Sequence, residues 1–237
     1  MILALNTSTL QFGLALLEED GNVLAEYFMS KGKGHFEGLM PALDFLLTSS
    51  KLDIHDLNGI IVAIGPGSFT GLRVGLSAAK GLSHGLDVPI IGVPTLESLA
   101  YQVSYSGFPV ISVLDSRKHE FFAARFIWND DHVLVRSGED VCLKEEDLSS
   151  LCKEPTLLIG NDFAGQGSLI KERLGPRAIL APAHLWNPKA SSVGLLGLKR
   201  FYAHNFNDSQ QLSPIYMRAP DIRPNPSPDK GIDKETQ

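Results

Sequence analysis

The chain has 237 residues, 43% of them hydrophobic and 20% charged, enough to bury a sizeable core in one large or two small domains. A formal net charge of -6 and a sequence pI near 5.6 argue against a protein that grips nucleic acid alone, since phosphate binding needs concentrated Lys and Arg. The two cysteines, Cys142 and Cys152, form no CxxC and read as free thiols, and the apolar start Met1 to Leu5 is too short for a signal peptide or a membrane span. A cytoplasmic protein is the expectation. Three strands open the chain, at 2–5, 12–17 and 23–29. The polar link Asn6-Thr7-Ser8-Thr9 joins the first two and an Asp20-Gly21 turn the next, which makes a meander. A helix is expected over 35–50, where Phe36, Leu39, Met40, Leu43, Leu46 and Leu47 recur at spacings of three and four. Pro41 either kinks it or marks its first turn. A buried strand at 59–64 runs into Gly65-Pro66-Gly67-Ser68, and a Gly-rich helix reaches about 86, with Ser68 or Thr70 as its cap. A strand at 88–93 and a helix from Thr95 complete an α/β unit.

The second unit begins near residue 107. It reads as a strand at 108–114 followed by Asp115-Ser116-Arg117, a hairpin of 120–128 with 132–143, a short helix at 144–152 and a strand at 157–159. A helix near 166–173 and a final helix over 190–202 follow. The two units share one degenerate layout. The expected division is 1–106, 107–218 and a Pro- and charge-rich tail, 219–237, with little apolar content and an extended or disordered character. The final helix, 190–204, is a candidate to pack back on the first unit.

The glycines of the 69–86 helix demand an explanation, because each interior Gly costs about 1 kcal/mol relative to Ala. Gly71, Gly75 and Ala79 are four apart and share one face, suited to close approach by a neighbour. The loop before them is a candidate phosphate loop, but the Gly-Lys-Ser/Thr ending of a Walker motif is replaced by Thr70-Gly71-Leu72-Arg73, and no G-x-G-x-x-G spacing occurs. Asn6, Thr7 and Ser8 are candidates to hold a nucleotide phosphate, against the plainer reading of a locally hydrogen-bonded turn. The seven histidines form no H-x-x-H pair, and no G-x-S-x-G elbow is present. Asp115 and Asp162 fall where catalytic acids sit after strands, and equally where turn-capping Asp sits.

The run Gly65-Pro66-Gly67-Ser68-Phe69-Thr70-Gly71-Leu72-Arg73 resembles the bacterial TsaB (YeaZ) family signature. Ile2 to Ser8, His35 to Pro41, Val88 to Leu96, Asp115-Ser116-Arg117 and Pro214 to Arg218 support it in order over about 220 residues. The resemblance implies a two-lobed actin/Hsp70-like (ASKHA) α/β fold, each lobe a mixed sheet with flanking helices. It implies the non-catalytic partner in threonylcarbamoyladenosine (t6A) modification of tRNA, working with the catalytic sibling TsaD and the ATPase TsaE, and a homodimer when TsaD is absent. ATP is then used by the complex, tRNA is met only through it, and no cofactor belongs to this chain. It also implies that the first two helices form the partner interface, through His35, Leu39, Leu43, Leu46, Gly71, Leu72, Gly75, Ala78, Ala79 and Leu82. Where the catalytic sibling carries a metal-binding H-x-x-x-H, this chain has Thr95 and Leu99. Where family members usually carry Asp, it has Asn6. The alternatives are an actin-fold ATPase or sugar kinase, with Asn6-Thr7-Ser8 and Asn161-Asp162 facing one nucleotide, and an M22-type metalloprotease.

Overall fold

A computed structural model describes residues 1–29, 37–117 and 119–218. In the first sheet β1 (Ile2–Asn6), β2 (Phe12–Leu17) and β3 (Val23–Met29) form the antiparallel meander. Helix α1 (Leu39–Ser49), β4 (Gly59–Gly65), α2 (Phe69–Leu86), β5 (Ile90–Pro94) and α3 (Thr95–Tyr101) follow. The strand order is β3-β2-β1-β4-β5, with β4 and β5 added in parallel beside β1. All of β1 and β2 is buried, because helices cover both faces of the sheet.

The second sheet repeats this plan. Strands β6 (Val110–Arg117) and β7 (Glu120–Trp128) are antiparallel. Two short strands, β8 (Leu134–Arg136) and β9 (Val141–Lys144), both pair with β7. Beyond them come β10 (Thr156–Ile159), α4 (Phe163–Leu174), β11 (Ala178–Leu180) and α5 (Ala190–Tyr202). Strands β10 and β11 extend the sheet in parallel beside β6, as β4 and β5 do beside β1.

Several elements depart from the sequence reading. Helix α1 starts at Leu39, with Gly38 at its N-cap, so Pro41 sits in the first turn, where an N–H has no intrahelical acceptor and its loss is harmless. His35 and Phe36, expected in this helix, lie outside the described residues, as does the tail 219–237. The single return arm expected over 132–143 is broken in two, since Gly138 takes φ +105 and residues 138–140 leave the sheet. Asp115 lies inside β6, not after a strand. The helix expected at 144–152 is a 3-10 helix over Glu145–Ser150, and the one expected at 166–173 begins at Phe163.

Among the described residues three apolar cores hold the layers. Leu39, Leu43, Leu46 and Leu47 of α1 and Leu76 and Ala79 of α2 pack with Leu3, Leu5, Leu14 and Leu16 on one face of the first sheet. On the opposite face Ala190, Val193 and Leu198 of α5 pack with Ile2, Ala4, Leu17 and Ile61. Glycines permit that approach: a Cβ on Gly194 would stand 2.5 Å from Leu17, and one on Gly197 2.4 Å from Ile61. Helix α3 meets the second sheet, with Leu96 and Leu99 in the core built by β6, β7 and α4. The last helix of each half therefore crosses to the other half's sheet. The chain after α5 then runs back along the first lobe. Asn207 N donates to Ile90 O (2.9 Å) and Ile215 N to Ile64 O (2.7 Å). Arg218 finally reaches the second lobe, with Nη1 donating to Glu120 Oε2 at 3.0 Å. No helix among the described residues is long and apolar enough to cross a membrane.

Candidate functional site

The polar link at the end of β1 and the Gly-rich loop before α2 meet inside the first lobe. Asn6, Thr7 and Ser8 are all buried. Asn6 Oδ1 accepts from Ser8 N (3.1 Å) and Ser8 Oγ (2.7 Å), a local Asx-type turn. Ser8 O accepts from Ser68 N at 2.6 Å. A Cβ on Gly67 would stand 2.0 Å from that same oxygen, which is why only glycine fits there. Ser68 caps α2, its Oγ accepting from Gly71 N at 3.3 Å. Thr7 Oγ1 donates to Gly71 O at 2.8 Å.

This corrects the expectation that Gly71 and Gly75 offer a smooth face to another protein's helix. A Cβ on Gly71 would lie 2.1 Å from Thr7 O, and one on Gly75 2.0 Å from Thr7 Oγ1. The neighbour these glycines admit is the chain's own β1–β2 link. The same loop positions that would cradle a phosphate hold protein atoms instead. Only Asn6 Nδ2 is buried there without a hydrogen-bond partner.

Across the junction between the lobes, Gln11 Nε2 donates to Asn161 O at 2.7 Å, so the link at 6–11 and the Asn161-Asp162 turn do come together. The Asn161-Asp162 turn is engaged internally. Asn161 Oδ1 accepts from Asp115 N (3.2 Å) and Gln166 Nε2 (3.0 Å), and Asp162 caps α4 through Gly165 N (3.1 Å). Gln11 escaped the sequence reading because a single Gln after a turn carries no pattern. Thr95 and Leu99 are fully buried at the start of α3, and Ser98 Oγ donates to Thr95 O at 2.9 Å. Among the described residues no three His, Cys, Asp or Glu side chains converge as a metal set would require.

The expected partner-facing residues divide by burial. Leu39, Leu43, Leu46, Leu72 and Ala79 are core residues, while Ala78 and Leu82 are half-buried at its edge. What α1 turns outward is Met40, 51% exposed, and Phe45, 60% exposed, with the Tyr27 ring 6.4 Å from that of Phe45. The leucine positions carry a signal for this face only in reverse: once Leu39, Leu43 and Leu46 point inward, Phe45 must lie on the other half of the helix. At the start of α2, Arg73 stacks on Phe69 (3.8 Å to the centroid) and its Nε donates to the Tyr216 hydroxyl at 3.1 Å. That contact pins the returning C-terminal segment against the same helix.

Comparison with known proteins gives this geometry a family. The family model described as TsaD, tRNA N6-adenosine threonylcarbamoyltransferase, matches residues 22–197. The tRNA threonylcarbamoyladenosine biosynthesis protein TsaB of Bacillus subtilis (strain 168) is 33% identical over 226 residues, covering 92% of this chain and 93% of that one. The chain belongs to the TsaB (YeaZ) family. The TsaB of Escherichia coli (strain K12) is 31% identical over 92% of this chain and 94% of its own length. Among solved structures, a Pseudomonas aeruginosa protein described as similar to peptidase YeaZ superposes with a TM-score of 0.75 at 25% identity, over 92% of this chain and 99% of that one. The activator of 2-hydroxyisocaproyl-CoA dehydratase from Clostridium difficile, with bound ADPNP, superposes at 0.50 with 10% identity over 91% of this chain and 99% of its own. The TsaB-family chain thus has the two-lobed actin-like fold, with each lobe a mixed sheet flanked by helices.

Proposed function

We propose that this chain is the non-catalytic scaffold and activator subunit of the bacterial assembly that forms N6-threonylcarbamoyladenosine at position 37 of tRNAs reading ANN codons. It pairs with the catalytic subunit TsaD, and TsaE supplies the ATPase. In isolation the same face pairs two copies of the chain. The observation that carries this reading is the outward face of α1, where Met40 and Phe45 stand 51% and 60% exposed above a filled core. Large apolar side chains left in water on α1 suit a helical interface, and half-buried Ala78 and Leu82 of α2 lie against the same core. Leu39, Leu43, Leu46 and Leu72 would support that face from beneath, and Gly71, Gly75 and Ala79 would fix the angle of α2 against β1.

Two further features support a partner role over chemistry by this chain alone. The would-be phosphate loop is closed by Ser8 and Thr7, with Ser8 O accepting from Ser68 N at 2.6 Å. The net charge of -6 suits a cytoplasmic subunit that leaves tRNA to its partner. The deciding experiment is reconstitution of t6A formation on tRNA by TsaD and TsaE, supplied with ATP and an activated threonylcarbamoyl donor made beforehand from threonine and bicarbonate, with and without this chain. Product that forms at the same rate in its absence overturns the proposal. So does t6A made by this chain with TsaD and TsaE omitted.

A further inference from the structure

The outer edge of β7 is not paired continuously. Phe126 faces Arg136 of β8 and Ala123 faces Val141 of β9; Ser137 N still donates to Arg125 O at 2.7 Å, and residues 138–140 bow away from the sheet between these pairs. Gly138 makes the bend at φ +105, with nothing within 4 Å of the place a Cβ would take. The bow leaves an open cavity of about 460 Å³ between this loop, β7 and the segment leading into β10. That volume lies in the range of small-molecule sites. Ala123 forms its floor, between Phe121 and Arg125 on the same face of β7 by strand alternation.

The lining carries both signs of charge. Arg125 is held in place, donating from Nη1 to Ser137 Oγ at 2.7 Å and from Nη2 to Glu154 Oε1 at 2.6 Å. Glu154 is itself steadied through its carbonyl, which accepts from Thr156 Oγ1 at 2.8 Å. A guanidinium has five donors, so Arg125 keeps others for a guest. Lys153 and Glu139 stand on the rim, and neither has an ion-pair partner among the described residues. Two cations and two carboxylates cancel, so a bare anion gains little here. A molecule carrying one charge of each sign meets a partner for both. Val141 and Leu151 add apolar lining to the same cavity.

From this arrangement we infer that the cavity beside β7 is a binding site for a small zwitterion of the aliphatic α-amino acid class. The carboxylate lies toward Arg125 and Lys153, the ammonium toward Glu139, and the side chain against Val141 and Leu151. The site is separate from the α1–α2 face and does not depend on the role proposed for that face.

The test is calorimetric or ligand-observed NMR titration of the full chain with valine, leucine, N-acetylvaline, valinamide and inorganic phosphate. Valine or leucine is expected to saturate with a Kd on the order of 1–10 mM, as suits so few atoms. N-acetylvaline and valinamide, each lacking one charge, should bind at least about tenfold more weakly, given the worth of a charged hydrogen bond. Lys153→Ala and Glu139→Gln alter exposed rim residues and should leave the melting temperature unchanged while weakening valine about fivefold or more. Glu139→Gln should spare whatever affinity N-acetylvaline has. No saturable binding of either amino acid up to about 50 mM, some fivefold above that range, overturns the inference. So does tighter binding of phosphate than of valine, or an affinity that neither rim substitution changes.

Discussion

Replacing Gly75 by Ala tests the central packing claim, because intrinsic propensity and tertiary structure predict opposite signs. In an exposed helix interior the substitution would stabilise by about 1 kcal/mol. Here the new methyl would stand 2.0 Å from Thr7 Oγ1, 3.2 Å from its Cβ and 3.3 Å from its Cγ2. Thr7 is buried and β-branched, so it cannot rotate away without giving up its 2.8 Å bond to Gly71 O. That bond is worth about 1 kcal/mol and overpacking a core about 1–3 kcal/mol, so the net effect is a loss of about 2 kcal/mol. At this chain length the melting temperature should fall by about 4–8 °C. Gly81→Ala on the same helix is the control, since nothing lies within 4 Å of its added Cβ. It should raise the melting temperature by about 2–4 °C. In urea melts the double variant Gly75→Ala with Thr7→Ala should recover part of the loss, because the offending oxygen is gone. A Gly75→Ala protein as stable as Gly81→Ala would refute the reasoning.

Phe45→Asp should leave the melting temperature within about 1–2 °C, as the residue is exposed, yet abolish co-purification with TsaD and t6A formation; retained pairing would contradict the docking face. Asp162→Ala should cost about 1 kcal/mol in urea unfolding by removing the cap on Gly165 N, with Asp162→Ser restoring most of it. Burial raises the Tyr101 hydroxyl pKa above its usual 10, with a smaller push from Tyr105. The unfolded chain therefore releases this proton first, so its contribution is complete below pH 10 and is lost as pH climbs from there through the folded-state value. Stability curves from pH 8 to 12 should fall less steeply for Tyr101→Phe.

Much of this protein is legible in one dimension. Alternating and continuous apolar runs locate β1 to β5, and the Gly65–Arg73 run carries the family signature. Three- and four-residue spacing finds the inner half of α1 at Leu39, Leu43, Leu46 and Leu47, but counts with them Met40, which the structure leaves half exposed. These signals are local, set by helix and strand periodicities acting over a few neighbours. The spacing of Gly71 and Gly75 likewise reveals a face under close approach. It cannot say what approaches, because the occupant, Thr7, is 64 residues from Gly71. The interruption between β8 and β9, the pairing of Gln11 with Asn161, and the crossing of α3 onto the second sheet are equally non-local. Periodicity determined which side of each element is buried. Only the closed tertiary structure decided that Thr7 fills the glycine face of α2 and leaves Met40 and Phe45 on α1 uncovered.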